Sequence, residues 1–131
     1  MNGVIDMISN EPAVATIAVK DLQAAMDFYE KKLGLKKIPS PQEGVALFES
    51  GPTRVIVYKS EFAGTNKATA VTWAVDDVDG TVRELKSKGI SFERYDFPNV
   101  KLEGDVHVFG KHRAAWFKDP DGNILALSTK G

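Results

Sequence analysis

The strongest constraint on this chain is that it carries one pattern twice. TIAVKDLQAAMDFYEKKLG, starting at Thr16, is matched by TWAVDDVDGTVRELKSKG, starting at Thr72. Thr16 pairs with Thr72, Val19 with Val75, Asp21 with Asp77, Met26 with Val82 and Lys32 with Lys88, and a one-residue slip then aligns Gly34 with Gly89. Self-similarity at this spacing means a structural unit that is repeated and buries its apolar face against its copy.

Each copy reads as a strand running into a helix. Val14 to Val19 is short, apolar and β-branched, which suits a strand. Asp21 is an N-cap, Leu22, Ala25, Met26, Tyr29 and Leu33 form one apolar stripe, and Gly34 stops the helix. The second copy uses Asp77 as cap, Val78, Val82 and Leu85 as stripe, and Gly89 as stop. Further strands are predicted over 35–38, 45–49 and 53–59 in the first half, then 90–95, 112–118 and 123–128 in the second. Glu49-Ser50-Gly51-Pro52 and Asp119-Pro120-Asp121-Gly122 supply hairpin turns at similar places. The expectation is an α+β domain spanning 1–131, made of two tandem βαβββ modules at about 13–60 and 68–129. The stretch 60–67 connects them, and 96–110 is a long irregular loop.

Composition narrows the partners. The 131 residues carry a net charge of -1 with charges scattered along the chain, so no basic stripe tracks a nucleic acid. No run approaches the roughly 20 apolar residues of a membrane span, and the start of the chain lacks a signal-peptide pattern. There is no cysteine, which removes disulfides and thiolate metal sites and fits a reducing, cytoplasmic setting. Val4, Ile5, Met7 and Ile8 form a short apolar patch expected to pack on the core.

With VKDLQAAMDFYEKKLGL after the first strand, VDDVDGTVRELKSKG after the fifth and WFKDPDGNILAL near the end, the chain resembles the vicinal oxygen chelate superfamily. That group includes glyoxalase I, extradiol dioxygenases, fosfomycin-resistance enzymes and the metal-free bleomycin-resistance proteins. The resemblance implies eight strands curling around an open cavity, commonly in a homodimer. It also implies four metal-ligand positions, which fall here on Val14, Val57, Ala70 and Ala126. All four are aliphatic where a divalent metal requires imidazole or carboxylate, and neighbours one residue away serve no better. The expectation is therefore a metal-free member without cofactor that binds a small apolar or aromatic molecule, in sequestration or resistance.

Strand alternation assigns Val14, Thr16, Val57, Ala70, Thr72 and Ala126 to the cavity wall, with Phe48 and Trp116 on strands beside it. Tyr95 and Phe109 flank the long loop. A filled core suits the same Ala and Val positions, and the sequence leaves the two readings open. The rival reading is a lyase- or dioxygenase-like enzyme with a displaced site. If 103–107 is extended, Glu103, Asp105 and His107 project to one side at period two, with His112 nearby. Lys111, His112 and Arg113 are also placed to hold an anionic group at the cavity mouth.

Overall fold

The structure, a computed structural model, describes residues 8–40 and 42–130. Both copies of the repeat form the expected unit. The first runs β1 (Ala15–Val19), α1 (Leu22–Asp27), β2 (Lys36–Ile38), β3 (Val45–Ser50) and β4 (Thr53–Lys59). The second runs β5 (Thr69–Val75), α2 (Val78–Ser87) and β6 (Phe92–Glu93). It then inserts a hairpin, β7 (Lys101–Glu103) and β8 (Val106–Phe109), before β9 (His112–Lys118) and β10 (Ile124–Thr129). The stretch 96–110, expected to be irregular, thus holds a two-stranded ladder turning at Gly104.

Asp21 caps α1 by accepting from the Ala24 amide at 3.0 Å, and Asp77 caps α2 by accepting from the Gly80 amide at 2.9 Å. Gly34 and Gly89 end the helices with φ of 77° and 90°, a region side chains disfavour. The one-residue slip in the repeat has a physical origin. Past Asp27 the first helix widens into a π turn over Phe28–Lys32, which absorbs the residue that α2 lacks. The π turn also brings two consecutive aromatics, Phe28 and Tyr29, into the core together.

The strands form two sheets. One has the order β2-β3-β4-β1; the other runs β5-β10-β9, and the far edge of β9 is shared by β6 and by the β7–β8 hairpin. The strands number ten where eight were expected, in sheets of four and six, because the hairpin adds β7 and β8 to the second module. In each module the first strand lies parallel to the last, with Thr16 opposite Ile56 and Thr72 opposite Ala126.

One hydrophobic core, including Ile17, Phe48, Val57, Phe117 and Leu127, draws on one face of both sheets and on both helices. The modules are stitched by polar bonds as well. The Asn123 side-chain amide donates to the Ala18 carbonyl at 2.8 Å, and Trp73 Nε1 donates to Ser50 Oγ at 3.0 Å. Val4, Ile5 and Met7 lie outside the described residues. Ile8 is 85% exposed, so it does not pack on the core as expected.

The connecting stretch passes tightly over the Asp119–Gly122 turn. A Cβ on Gly64, whose φ is 71°, would sit 2.1 Å from the Asp121 carbonyl oxygen. Gly64→Ala therefore strains the backbone twice over and is expected to cost about 1–3 kcal/mol, read as a lowered Tm.

Candidate functional site

The pairing register decides which residues face the core and which face outward. Ile17 lies opposite Val57 and Phe48 opposite Val55, and Val57 and Phe48 are fully buried. Two expected cavity residues are thereby corrected. Val57 and Phe48 belong to the core, and the open face of β4 carries Arg54, Ile56 and Tyr58 instead, since alternate residues of a strand face opposite ways. Val14 precedes β1 rather than lying in it and is partly exposed. Thr16 stands on the open face of the first sheet beside Val45, Leu47, Ile56 and Tyr58, around a shallow apolar hollow of about 420 Å³. On the second sheet Ala70 and Thr72 face outward, and Ala126 shares that face between Thr72 and Trp116.

A larger hollow lies at one end of this second open face, with a volume of about 730 Å³. Its wall is aromatic. Tyr95, Phe97 and Trp116 stand with ring centroids 5.6–5.9 Å apart, and Ile124 adds an aliphatic patch. Trp116 faces the hollow because it lies on β9 directly opposite Ala126 of β10. Its indole N–H donates to Thr69 Oγ1 at 3.1 Å, which fixes the ring plane.

Tyr95 and Phe97 sit on irregular chain after β6, and a buried histidine holds them there. His107, on β8, is fully buried, and its Nε2 accepts the Tyr95 amide proton at 2.9 Å. That acceptor role leaves the ring proton on Nδ1. The imidazole packs edge-on to Trp116 at 4.9 Å and contacts both other rings. His107 is thus the support behind an aromatic wall. The polar edge of the hollow carries Glu93, paired with Lys118 at 3.4 Å, together with Asn66 and Lys67 from the connecting stretch. Burial, and secondarily the Glu93 carboxylate, raises the Tyr95 phenol above its ordinary value, so it remains protonated at neutral pH.

The expected acid–base trio does not assemble. The strand direction reverses at Gly104, so Glu103 and His107 lie on different strands and point to opposite faces of the sheet. Glu103 and Asp79 both bind Arg113, at 2.8 Å and 2.9 Å, on the helix side. Asp105 is clamped by Lys86 at 2.6 Å and Arg94 at 3.0 Å. His112 is exposed and stacks on Phe109. The anion-holding role expected of Arg113 is excluded likewise, since its guanidinium is already neutralised by two carboxylates.

The clamp on Asp105 has a pH signature. The hydrogen bond from Lys86 is the largest influence on it and, with Arg94, holds the carboxyl below its ordinary value of 3.8 against the opposing effect of burial. A lowered folded-state value contributes stability that is fully present above the unfolded value, near 3.8, and is lost as pH falls through the folded one. Asp105→Asn is expected to flatten the fall of Tm below about pH 4 while lowering Tm at neutral pH, checked by thermal melts across that range.

Nor do the residues at hand suit a metal. The resemblance places ligands at Val14, Ala70, Ala126 and one position on β4, where the outward residue is Ile56 in place of Val57. None offers a donor atom. Among the described residues no three His, Cys, Asp or Glu side chains stand together so as to hold a metal ion. No helix among them is long and apolar enough to cross a membrane.

A family model described as Glyoxalase/Bleomycin resistance protein/Dioxygenase superfamily matches residues 11–127. Solved structures share the fold. The bleomycin resistance determinant encoded on transposon Tn5 is 19% identical with a TM-score of 0.70, over 92% of this chain and 98% of that one. The fosfomycin resistance protein FosX from Listeria monocytogenes is 16% identical with a TM-score of 0.70, over 93% and 94% of the two chains. Lactoylglutathione lyase from Agrobacterium tumefaciens is 16% identical with a TM-score of 0.70, over 92% and 93%. Curated proteins yield no match.

Proposed function

Since the chain belongs to the Glyoxalase/Bleomycin resistance protein/Dioxygenase superfamily, we propose that it is a metal-free member that binds a small apolar or aromatic molecule and sequesters it. One observation carries this reading. The open face whose family ligand positions are aliphatic ends in a 730 Å³ hollow walled by Tyr95, Phe97 and Trp116. Concave, largely apolar sites with a few placed polar groups are the usual form of a small-molecule site, and aromatic faces favour planar ligands. The resistance-type role rests on fold likeness to the Tn5 determinant, which is an analogy of architecture and not of ligand.

The working unit in this reading is a homodimer, in the cytoplasm given the cysteine-free sequence. Support for the dimer comes from the first sheet, whose open face presents Val45, Leu47, Ile56 and Tyr58 around a hollow edged by Thr16, Ser40 and Gln42. Apolar sheet faces of that kind mark association surfaces. Sedimentation equilibrium at micromolar concentration reads this directly; a strict monomer removes the dimer.

Elemental analysis of the purified protein by plasma mass spectrometry tests the metal-free reading. After dialysis against zinc, nickel and manganese, followed by buffer, less than one metal per ten chains is expected. A stoichiometric divalent metal retained through that wash overturns it.

A further inference from the structure

Which ligands the hollow prefers follows from what its polar groups have left to offer. Resting on the reading of this hollow as a binding site, we infer that it takes a planar aromatic ring bearing a carboxylate, with the ring against Trp116 and the carboxylate at Lys67.

The lining contains one carboxylate, Glu93, and Lys118 already occupies it at 3.4 Å. No carboxylate is therefore free to receive a cationic ligand. Lys67, by contrast, is exposed at the rim and has no carboxylate partner among the described residues. The neutral groups are biased the same way. Asn66 Oδ1 accepts the Ala68 amide proton at 3.0 Å, and both protons of the side-chain NH₂ are free to be donated. Thr69 Oγ1 accepts from the Trp116 indole, so its own hydroxyl proton is free to be donated. The phenol of Tyr95 is a further donor. After internal bonding the rim presents an ammonium and several donors, and the complementary group is an anion rich in acceptors.

Geometry supplies the other half of the ligand. Three aromatic rings and Ile124 bound the wall, which suits a flat ring system, and the connecting stretch adds Asn66 and Lys67 to its rim. A ligand that uses both carries a ring and an anionic group. It also differs from the anion site expected at Lys111, His112 and Arg113, whose guanidinium is already paired.

Calorimetric titration of the full chain with three probes of one shape tests the inference: naphthalene-2-carboxylate, 2-naphthylmethanol and 2-naphthylmethylamine. The carboxylate is expected to bind at least about tenfold more tightly than the alcohol, and the amine more weakly than the alcohol, with the preference shrinking in high salt. Lys67→Gln, at an exposed position, is expected to bring the carboxylate to the level of the alcohol. Equal affinities, a preference for the amine, or a carboxylate preference that survives Lys67→Gln overturns the inference. Binding of the alcohol without charge preference leaves the small-molecule reading standing; failure of all three probes to bind removes both.

Discussion

Asp119→Leu is expected to destabilise the fold by about 3–5 kcal/mol, a fall in Tm of roughly 10–20 °C. Asp119 is 5% exposed and is the hub of a buried network tying the second module's hairpin turn to the first helix. Its Oδ1 accepts the amides of Asp121 and Asn123 at 3.0 and 2.8 Å. Its Oδ2 accepts the Tyr29 hydroxyl and the Asn123 side-chain amide, both at 2.8 Å. Leucine leaves the Tyr29 hydroxyl and the Asn123 backbone amide buried without a partner, and each such group costs about 1–3 kcal/mol. Tyr29→Phe removes one donor and leaves Asp119 Oδ2 still bonded to the Asn123 side-chain amide, so it is expected to cost only about 1 kcal/mol. Burial above all, then the adjoining Asp119, holds the Tyr29 phenol far above the ordinary tyrosine range, so it stays a donor at every pH where the protein is folded. Thermal melts of the two variants check the contrast; similar losses would mean that the Tyr29 bond accounts for the whole effect of Asp119.

The second large effect is on binding. Trp116→Ala is expected to weaken a planar ligand by tenfold to about a hundredfold, since stacking on one aromatic face is worth about 1–3 kcal/mol. Trp116→Phe keeps a ring in place and is expected to lose only a fraction of that. His107→Leu acts behind the wall. It strands the part-buried Tyr95 amide and loosens the Tyr95–Phe97 segment, so affinity falls although His107 never meets the ligand. A His107→Leu protein that binds as tightly as the wild type would show that the wall needs no such support.

Local chemistry made the fold legible in the sequence, because each module repeats its punctuation. Asp21 and Asp77 cap, Gly34 and Gly89 stop, and strands were expected at 53–59 and 112–118, where β4 and β9 lie. The slip between the copies was visible too, but its cause is a π turn that no periodicity announces. Strand parity is where the reading of the site failed. In Thr53–Lys59 the outward set is marked by Arg54 and Tyr58, and the intervening Ile56 goes with them; Val55 and Val57 turn to the core. Glu49 likewise marks the outward parity of Val45 and Leu47, which leaves Phe48 inside. Those polar markers were present in the sequence and outweigh a position count carried over from relatives.

The aromatic wall was only half legible. Trp116 was placed beside the cavity and Tyr95 beside the long loop, whereas Phe97, Lys67 and Lys118 were not placed at a site. Tyr95 and Phe97 lie on irregular chain, and they meet Trp116 only because the β7–β8 hairpin delivers His107 behind them. The Gly104 turn between Glu103 and Asp105 is the one local signal for that hairpin. It also explains why three polar residues at period two never formed a trio, since a period-two argument fails across a chain reversal.

The most direct test of the account is a calorimetric titration of EDTA-dialysed protein with 2-naphthylmethanol, run beside Trp116→Ala and repeated with zinc present. The account predicts one saturable site per chain, indifferent to zinc and at least tenfold weaker in the variant. Binding that appears only with the metal, or that is untouched by loss of Trp116, would contradict it.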